Sequence, residues 1–250
     1  MRNKLAIWVL PLVLGIGQCL ATPPTTDSQA AANIQSRLDH AKLDQHGAVQ
    51  VTYAAGVATL TGTVDSLGSK LDAEQAARKT KGVKQVVDNI QVRAEGVDDM
   101  QILVQARHDI VMYYAYGMFD NVELAVRNGA LVVKGQVTQP FKKKDMENIL
   151  EHVKGVAAFQ NNLEVLPLSD FDNRLRMQVA RAIYGDPYFI HYTNLALPPI
   201  HIVVKNGNVT LEGVVANGMD KIKANLDARR AGLSFTVIDN LRVENAQRSS

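Results

Sequence analysis

Apolar positions along this chain recur with two periods, and the periods alternate in a fixed order. Ala31, Ile34, Leu38 and Ala41 stand at helical spacing behind Asp27 and Ser28, either of which can cap a helix. The period then drops to two. Val49, Val51 and Tyr53 alternate with polar residues, and beyond Ala55-Gly56 a return strand places Ala58, Leu60, Gly62 and Val64 on one face and Thr59, Thr61 and Thr63 on the other. This predicts a hairpin with one buried and one wetter side. Ala73, Ala76, Ala77 and Thr80 restore the helical spacing, and Val86, Ile90 and Val92 close the segment as a strand.

The same order returns twice. In the second copy Val122, Leu124 and Val126 lead into Asn128-Gly129, and Leu131, Val133, Gly135 and Val137 return; Met146, Ile149, Leu150 and Val153 form the helix, and Phe159, Leu163 and Val165 the last strand. In the third, Ile200, Ile202 and Val204 lead into Asn206-Gly207, Val209, Leu211, Gly213 and Val215 return, and Val237, Leu241 and Val243 close. Asn-Gly tolerates positive φ at both positions, so it is a strong signal for a tight hairpin.

Each hairpin carries two glycines six residues apart, Gly56 and Gly62, Gly129 and Gly135, Gly207 and Gly213, and an Asn follows the second glycine by 27 residues, at Asn89, Asn162 and Asn240. The pattern predicts an α/β fold of the α+β type. Three tandem α-β-β-α-β units each pack two helices on one face of a three-stranded sheet, because only one sheet face is consistently apolar. The units run over 27–94, 97–166 and 169–244, the last with an insertion around 185–199. The second glycine of each pair falls on the inward face, where the expected reason is close approach of a helix backbone.

The first residues belong to a different class of sequence. Arg2 and Lys4 precede an apolar run from Leu5 to Ile16 that is too short to span a bilayer and contains Pro11, the layout of a signal peptide over 1–21 cleaved near Ala21. This predicts export to the periplasm. Cys19 is the only cysteine; Gln18 before it disfavours a lipoprotein, and cleavage after Ala21 leaves no thiol.

Charge then narrows the partners. The chain holds 27 basic and 25 acidic residues, and removing Arg2 and Lys4 with the leader balances them. A nucleic-acid binder needs a basic excess or stripe, so nucleic acid is not expected. The six histidines lack zinc-site spacing, and there is no nucleophile elbow or phosphate loop. Asp98, Asp99, Asp170 and Asp172 gather at helix starts, where free amides and the helix dipole account for them. No catalytic residue, metal, cofactor or small-molecule substrate is expected, and the chain reads as non-enzymatic.

With these motifs the chain resembles the BON domain, found in osmotically inducible periplasmic proteins and related envelope proteins. The resemblance rests on Gly-x-Val-x-Leu-x-Gly-x-Val, the closing Asn-[Ile/Leu]-x-Val and the exported context, and covers roughly residues 29 to 243. It implies phospholipid contact and a role in envelope integrity or osmotic stress. Two aromatic segments after the first helices of units two and three supply a candidate lipid or partner surface: Tyr113, Tyr114, Tyr116 and Phe119, then Tyr188, Phe189 and Tyr192. Filling the seam between units is the competing assignment. Lys142, Lys143 and Lys144 are a solvated helix face or a site for anionic headgroups. The partners are therefore membrane phospholipid or, for a scaffold or chaperone-like protein, other envelope proteins.

Overall fold

A computed structural model describes residues 27–41, 43–93, 95–232 and 234–244; the expected leader, with Cys19 and Ala21, lies outside the described residues. Unit one comprises α1 (Asp27–His40), β1 (Gly47–Ala54), β2 (Val57–Val64), α2 (Leu67–Arg78) and β3 (Gln85–Val92). Unit two comprises α3 (Asp99–Met112), β4 (Asn121–Arg127), β5 (Ala130–Val137), α4 (Pro140–Glu151) and β6 (Ala158–Val165). Unit three comprises α5 (Asp170–Tyr184), α6 (Ile190–Thr193), β7 (Ile200–Lys205), β8 (Asn208–Val215), α7 (Gly218–Arg230), β9 (Thr236–Asp239) and β10 (Arg242–Val243). The order helix, strand, strand, helix, strand thus holds three times. The insertion in unit three folds as a 3₁₀ turn over Pro187–Phe189 followed by α6.

In each sheet the return strand of the hairpin is central. It pairs antiparallel with the strand before it and parallel with the closing strand, as in Gly62↔Val49 and Gly62↔Ile90. Unit three splits its closing strand into β9 and β10, both parallel to β8. Each unit has its own core: Ile34, Leu38, Leu60 and Ile90 in the first, Ile102, Leu131, Met146 and Leu163 in the second, Leu175, Ile183, Ile202 and Leu211 in the third.

All three hairpin turns take positive φ at both central residues, as Asn-Gly predicts: 51° and 73° at Asn128-Gly129, 51° and 76° at Asn206-Gly207. Unit one places Ala55 there at 50°. A side chain with Cβ pays about 1–2 kcal/mol in that region, and Asn is among the few that enter it readily. Ala55→Asn is therefore expected to stabilise unit one by about 1 kcal/mol, visible as a higher melting temperature; an unchanged or lower one would contradict the turn assignment.

The second glycine of each hairpin has a different cause from the expected helix approach. Gly62, Gly135 and Gly213 have φ of 128°, 125° and 116°, and an added Cβ would stand 2.0, 2.1 and 2.0 Å from the carbonyl oxygens of Ala48, Asn121 and Pro199. What approaches is the backbone of the neighbouring strand or, in unit three, the residue just before it.

The units meet through a few residues. Leu67 packs on the core of unit two, while backbone bonds Leu67 N–H to Val156 O and Gly155 N–H to Asp65 O, both 2.8 Å, tie units one and two. Met118 and Phe119 pack on the core of unit three, and Ile202 donates its N–H to Met118 O at 2.7 Å. As a result β7 is buried on both faces. Ile200, Ile202 and Val204 face the core, and His201 and Val203 on the other face are also buried.

Candidate functional site

The residues between α3 and β4 are positioned by Asp120, whose side chain is fully buried. Its carboxylate accepts from Gly117 N–H, Thr138 N–H, the Thr138 hydroxyl and Lys142 Nζ, at 2.7 to 3.1 Å. That network turns the preceding aromatics to different fates. Tyr113 is buried, and its hydroxyl donates to Asp145 at 2.6 Å; burial and this bond raise its pKa. Tyr116 stacks on His201 of unit three with ring centroids 5.6 Å apart. Burial lowers the His201 pKa, and its Nδ1 has no hydrogen-bond partner. Phe119 packs on the core of unit three, so Tyr116 and Phe119 fill the seam between units. Tyr114 alone of this segment points to solvent, 86% exposed.

In unit three the aromatic segment docks on its own helix α7. Phe189 is fully buried, and the hydroxyls of Tyr188 and Tyr192 donate to Asp220 at 2.8 and 2.6 Å. Burial, followed by the bond to Asp220, pushes the Tyr192 pKa up to about 12. Burial works against the Asp220 carboxylate, but the bonds from Tyr192 and Tyr188 prevail and hold its pKa down. Phe189 and Tyr192 are therefore core and anchor residues, out of reach of a bilayer. The physical reason is that Asp220 is buried and needs donors. Tyr188 keeps a partly exposed ring, 40%, with its hydroxyl engaged.

The lysine run is likewise engaged. Lys142 pairs with Asp120 at 2.7 Å, Lys143 donates to Leu163 O at 2.7 Å and Lys144 pairs with Glu147 at 2.9 Å. Lys143 belongs to a repeated lock: Lys70 donates to Ile90 O and Lys221 to Leu241 O, both at 2.6 Å. The lock closes on a side chain just before the repeated Asn, since Asp88, Asn161 and Asp239 accept from the backbone N–H of Ile90, Leu163 and Leu241. The repeated Asn marks the place in the sequence, but neither partner of the lock is that Asn. The signal is present, because each lysine follows the second glycine by 8 residues.

The carboxylates at helix starts divide as well. Asp98 completes a capping box with Gln101. Asp99 and Asp172 reach across to the hairpin turns, accepting from Asn128 and Gly129 N–H and from Asn206 and Gly207 N–H at 2.7 to 2.9 Å.

Once these groups are assigned to structure, an apolar surface remains. On the outward side of α3, Met100, Val104, Val111 and Met112 are 64%, 61%, 48% and 69% exposed, with Arg107 and His108 among them, and the row ends at Tyr114. The inward side of the same helix buries Ile102, Ala106 and Ile110. A helix that is apolar on both sides has more hydrophobic surface than its own unit can cover. Beside it, a cleft of about 290 Å³ separates α3 and β4 from the sheet of unit three, lined by Arg107, Val111, Tyr116, His201 and Arg242 among others. Among the described residues no group of three or more His, Cys, Asp or Glu could hold a metal ion, and no helix is long and apolar enough to cross a membrane.

A family model of the BON domain matches residues 26–94, 117–167 and 172–245, one match for each unit. The chain belongs to the BON domain family. BON domains are binding modules associated with the cell envelope and with phospholipid or protein partners. Two solved structures of CdsD, a structural protein of the type III secretion system of Chlamydia trachomatis, are also similar to this chain. Its C-terminal domain is 17% identical over 83% of this chain and 96% of that one, with a TM-score of 0.22. The second structure is 16% identical over 86% and 95%, with a TM-score of 0.25. At TM-scores this low neither likeness bears on fold or function. No curated protein matches the chain.

The BON units do not expose equivalent surfaces. Unit one presents a polar outward row on α1, with Asn33, Ser36 and Arg37 exposed, whereas unit two presents the apolar row of α3.

Proposed function

We propose that this BON protein is a non-enzymatic periplasmic module that contacts phospholipid and supports envelope integrity under osmotic stress. The observation that carries this is the outward face of α3 with Tyr114. Four exposed apolar side chains and one amphipathic ring lie in one row, with Arg107 and His108 beside them. An interfacial helix needs that composition: apolar residues to enter the acyl boundary and cations to meet anionic headgroups. Each well-placed cation adds about 1 kcal/mol near a charged surface, and each buried Val or Met side chain about 1.5–3 kcal/mol.

Tyr114 and the α3 row thus take the place of the two aromatic segments, aided by Lys142 to Lys144, as the contacting group. A soluble scaffold for other envelope proteins is the second reading, favoured by the burial of Tyr116 and Phe119 in the seam between units. Co-sedimentation with neutral and anionic vesicles at low and high salt separates the two. Anionic-selective binding that weakens with salt is expected, with at least about a 10-fold loss in Val104→Asp with Tyr114→Asp. Folded protein that pellets with neither vesicle would remove the lipid reading and leave the scaffold.

A further inference from the structure

Helix α7 is inverted relative to an ordinary surface helix. Its inward row holds Asp220 and Asp227, 1% and 4% exposed, together with Ala224 and Ala228, while its outward row holds Met219, Ile222 and Leu226 at 61%, 56% and 43%. The buried charges are satisfied inside the unit. Asp220 takes the Tyr188 and Tyr192 hydroxyls, Asp227 takes Lys223 at 2.6 Å, and Lys223 also pairs with Asp186. The Lys223 and Asp186 side chains are 24% and 29% exposed, and pairs so open to water contribute little net stability. Core stability therefore does not explain the inversion. What it leaves is a helix whose outward row is apolar and whose acids are all turned away from solvent.

The neighbouring helices extend the same surface. Phe171 and Met177 of α5 and Ile190 of α6 are 36%, 46% and 63% exposed. Arg174, Arg181, Arg229 and Arg230 are exposed in this layer, and none forms an ion pair among the described residues. The exposed acid of the three helices is Asp170, at the start of α5. Apolar side chains set among arginines that lack a carboxylate partner, Arg229 donating only to Asn225 and Val237 O, complement an anionic bilayer surface, where the chains enter the headgroup boundary and the guanidinium groups meet phosphates.

This layer and α3 lie on opposite sides of the unit-three sheet. Ile200, Ile202, Leu211 and Leu241 face the core beneath α5 and α7. His201, Glu212 and Arg242, alternating with them, face the cleft whose far wall carries Arg107 and Val111 of α3. We propose that the α5–α7 layer is a second bilayer-contacting surface, and that the protein bridges two anionic bilayers, one on α3 and one on unit three. The bridging rests on the lipid reading of α3 given above.

The test uses the chain from residue 22 onward, which keeps every described element and removes the apolar leader. It is mixed with phosphatidylcholine vesicles with and without phosphatidylglycerol. Pelleting reports binding, dynamic light scattering reports vesicle clustering, sedimentation velocity without lipid reports self-association, and circular dichroism checks each variant's fold. The unsubstituted chain is expected to pellet with, and cluster, only the anionic vesicles. Ile222→Glu with Leu226→Glu changes two exposed positions and should still pellet through α3 while clustering falls at least about 10-fold; Ile222→Ser with Leu226→Ser gives the same direction if the charged pair disturbs folding. Pelleting without clustering, or clustering that survives both pairs, would overturn the second surface and leave the α3 reading standing. A chain that pellets with neither vesicle overturns both. A dimer that the α7 substitutions dissociate would show that this layer meets a second copy, which also overturns the bilayer assignment.

Discussion

Gly135→Ala is expected to cost on the order of 3–5 kcal/mol and to unfold unit two at moderate temperature. Two penalties add. The backbone at Gly135 holds φ of 125°, a region that residues with Cβ rarely adopt, and the new methyl would lie 2.1 Å from the Asn121 carbonyl oxygen and 2.9 Å from its carbon. That oxygen belongs to the neighbouring strand, so relief requires β4 to move away from β5 and to loosen a register that runs from Asn121↔Gln136 to Arg127↔Ala130. A unit of about 70 residues is held by roughly 3–10 kcal/mol, so the loss is comparable to the whole. Gly117→Ala provides the control, because nothing lies within 4 Å of the added carbon and its φ is not positive. Thermal unfolding followed by circular dichroism should show a lost or strongly lowered transition for Gly135→Ala and a melting temperature near the parent for Gly117→Ala. Equal melting temperatures for the two variants would contradict the account of this motif as strand crowding.

The second large effect is expected at Asp120. Asp120→Ala leaves the Lys142 ammonium, whose side chain is only 12% exposed, without its counter-charge, and it orphans the N–H groups of Gly117 and Thr138. Removing one partner of a buried pair costs about 3–5 kcal/mol, mostly because an uncompensated charge stays behind. Asp120→Ala with Lys142→Met should therefore recover part of the loss, since the stranded cation goes too. Denaturant unfolding of the two singles and the double gives the coupling directly. A loss below about 1 kcal/mol for Asp120→Ala would mean that the pair is solvated and that Lys142 is free for other partners. Asp120 also anchors the segment that carries Tyr116 and Phe119 into the seam, so its removal is expected to uncouple units two and three.

Much of the fold was legible because it is local. A period of two interrupted by Asn-Gly specifies a hairpin through φ preferences that operate over four residues, and Asn128-Gly129 and Asn206-Gly207 both behave as those preferences require. The inward rows were legible for the same reason: Leu131, Val133 and Val137 alternate, and all three are buried in their own unit.

The site was legible only in part. In the aromatic segments neither period holds, so nothing along the chain distinguishes Tyr113, held by Asp145 from 32 residues away, from Tyr114 beside it in solvent. The lysine run left a solvated helix face and a headgroup site both open because its partners are Asp120, Leu163 and Glu147, two of them distant in sequence. By itself the sequence determined three units, their element order, their inward faces and their turns, all of which follow from side-chain periodicity and backbone preference within short segments. The tertiary structure decided which charges are spent inside, which faces stay bare, and that unit two covers the outer face of β7. Burial of a polar group depends on whether another part of the chain brings it a partner, and periodicity carries no record of that.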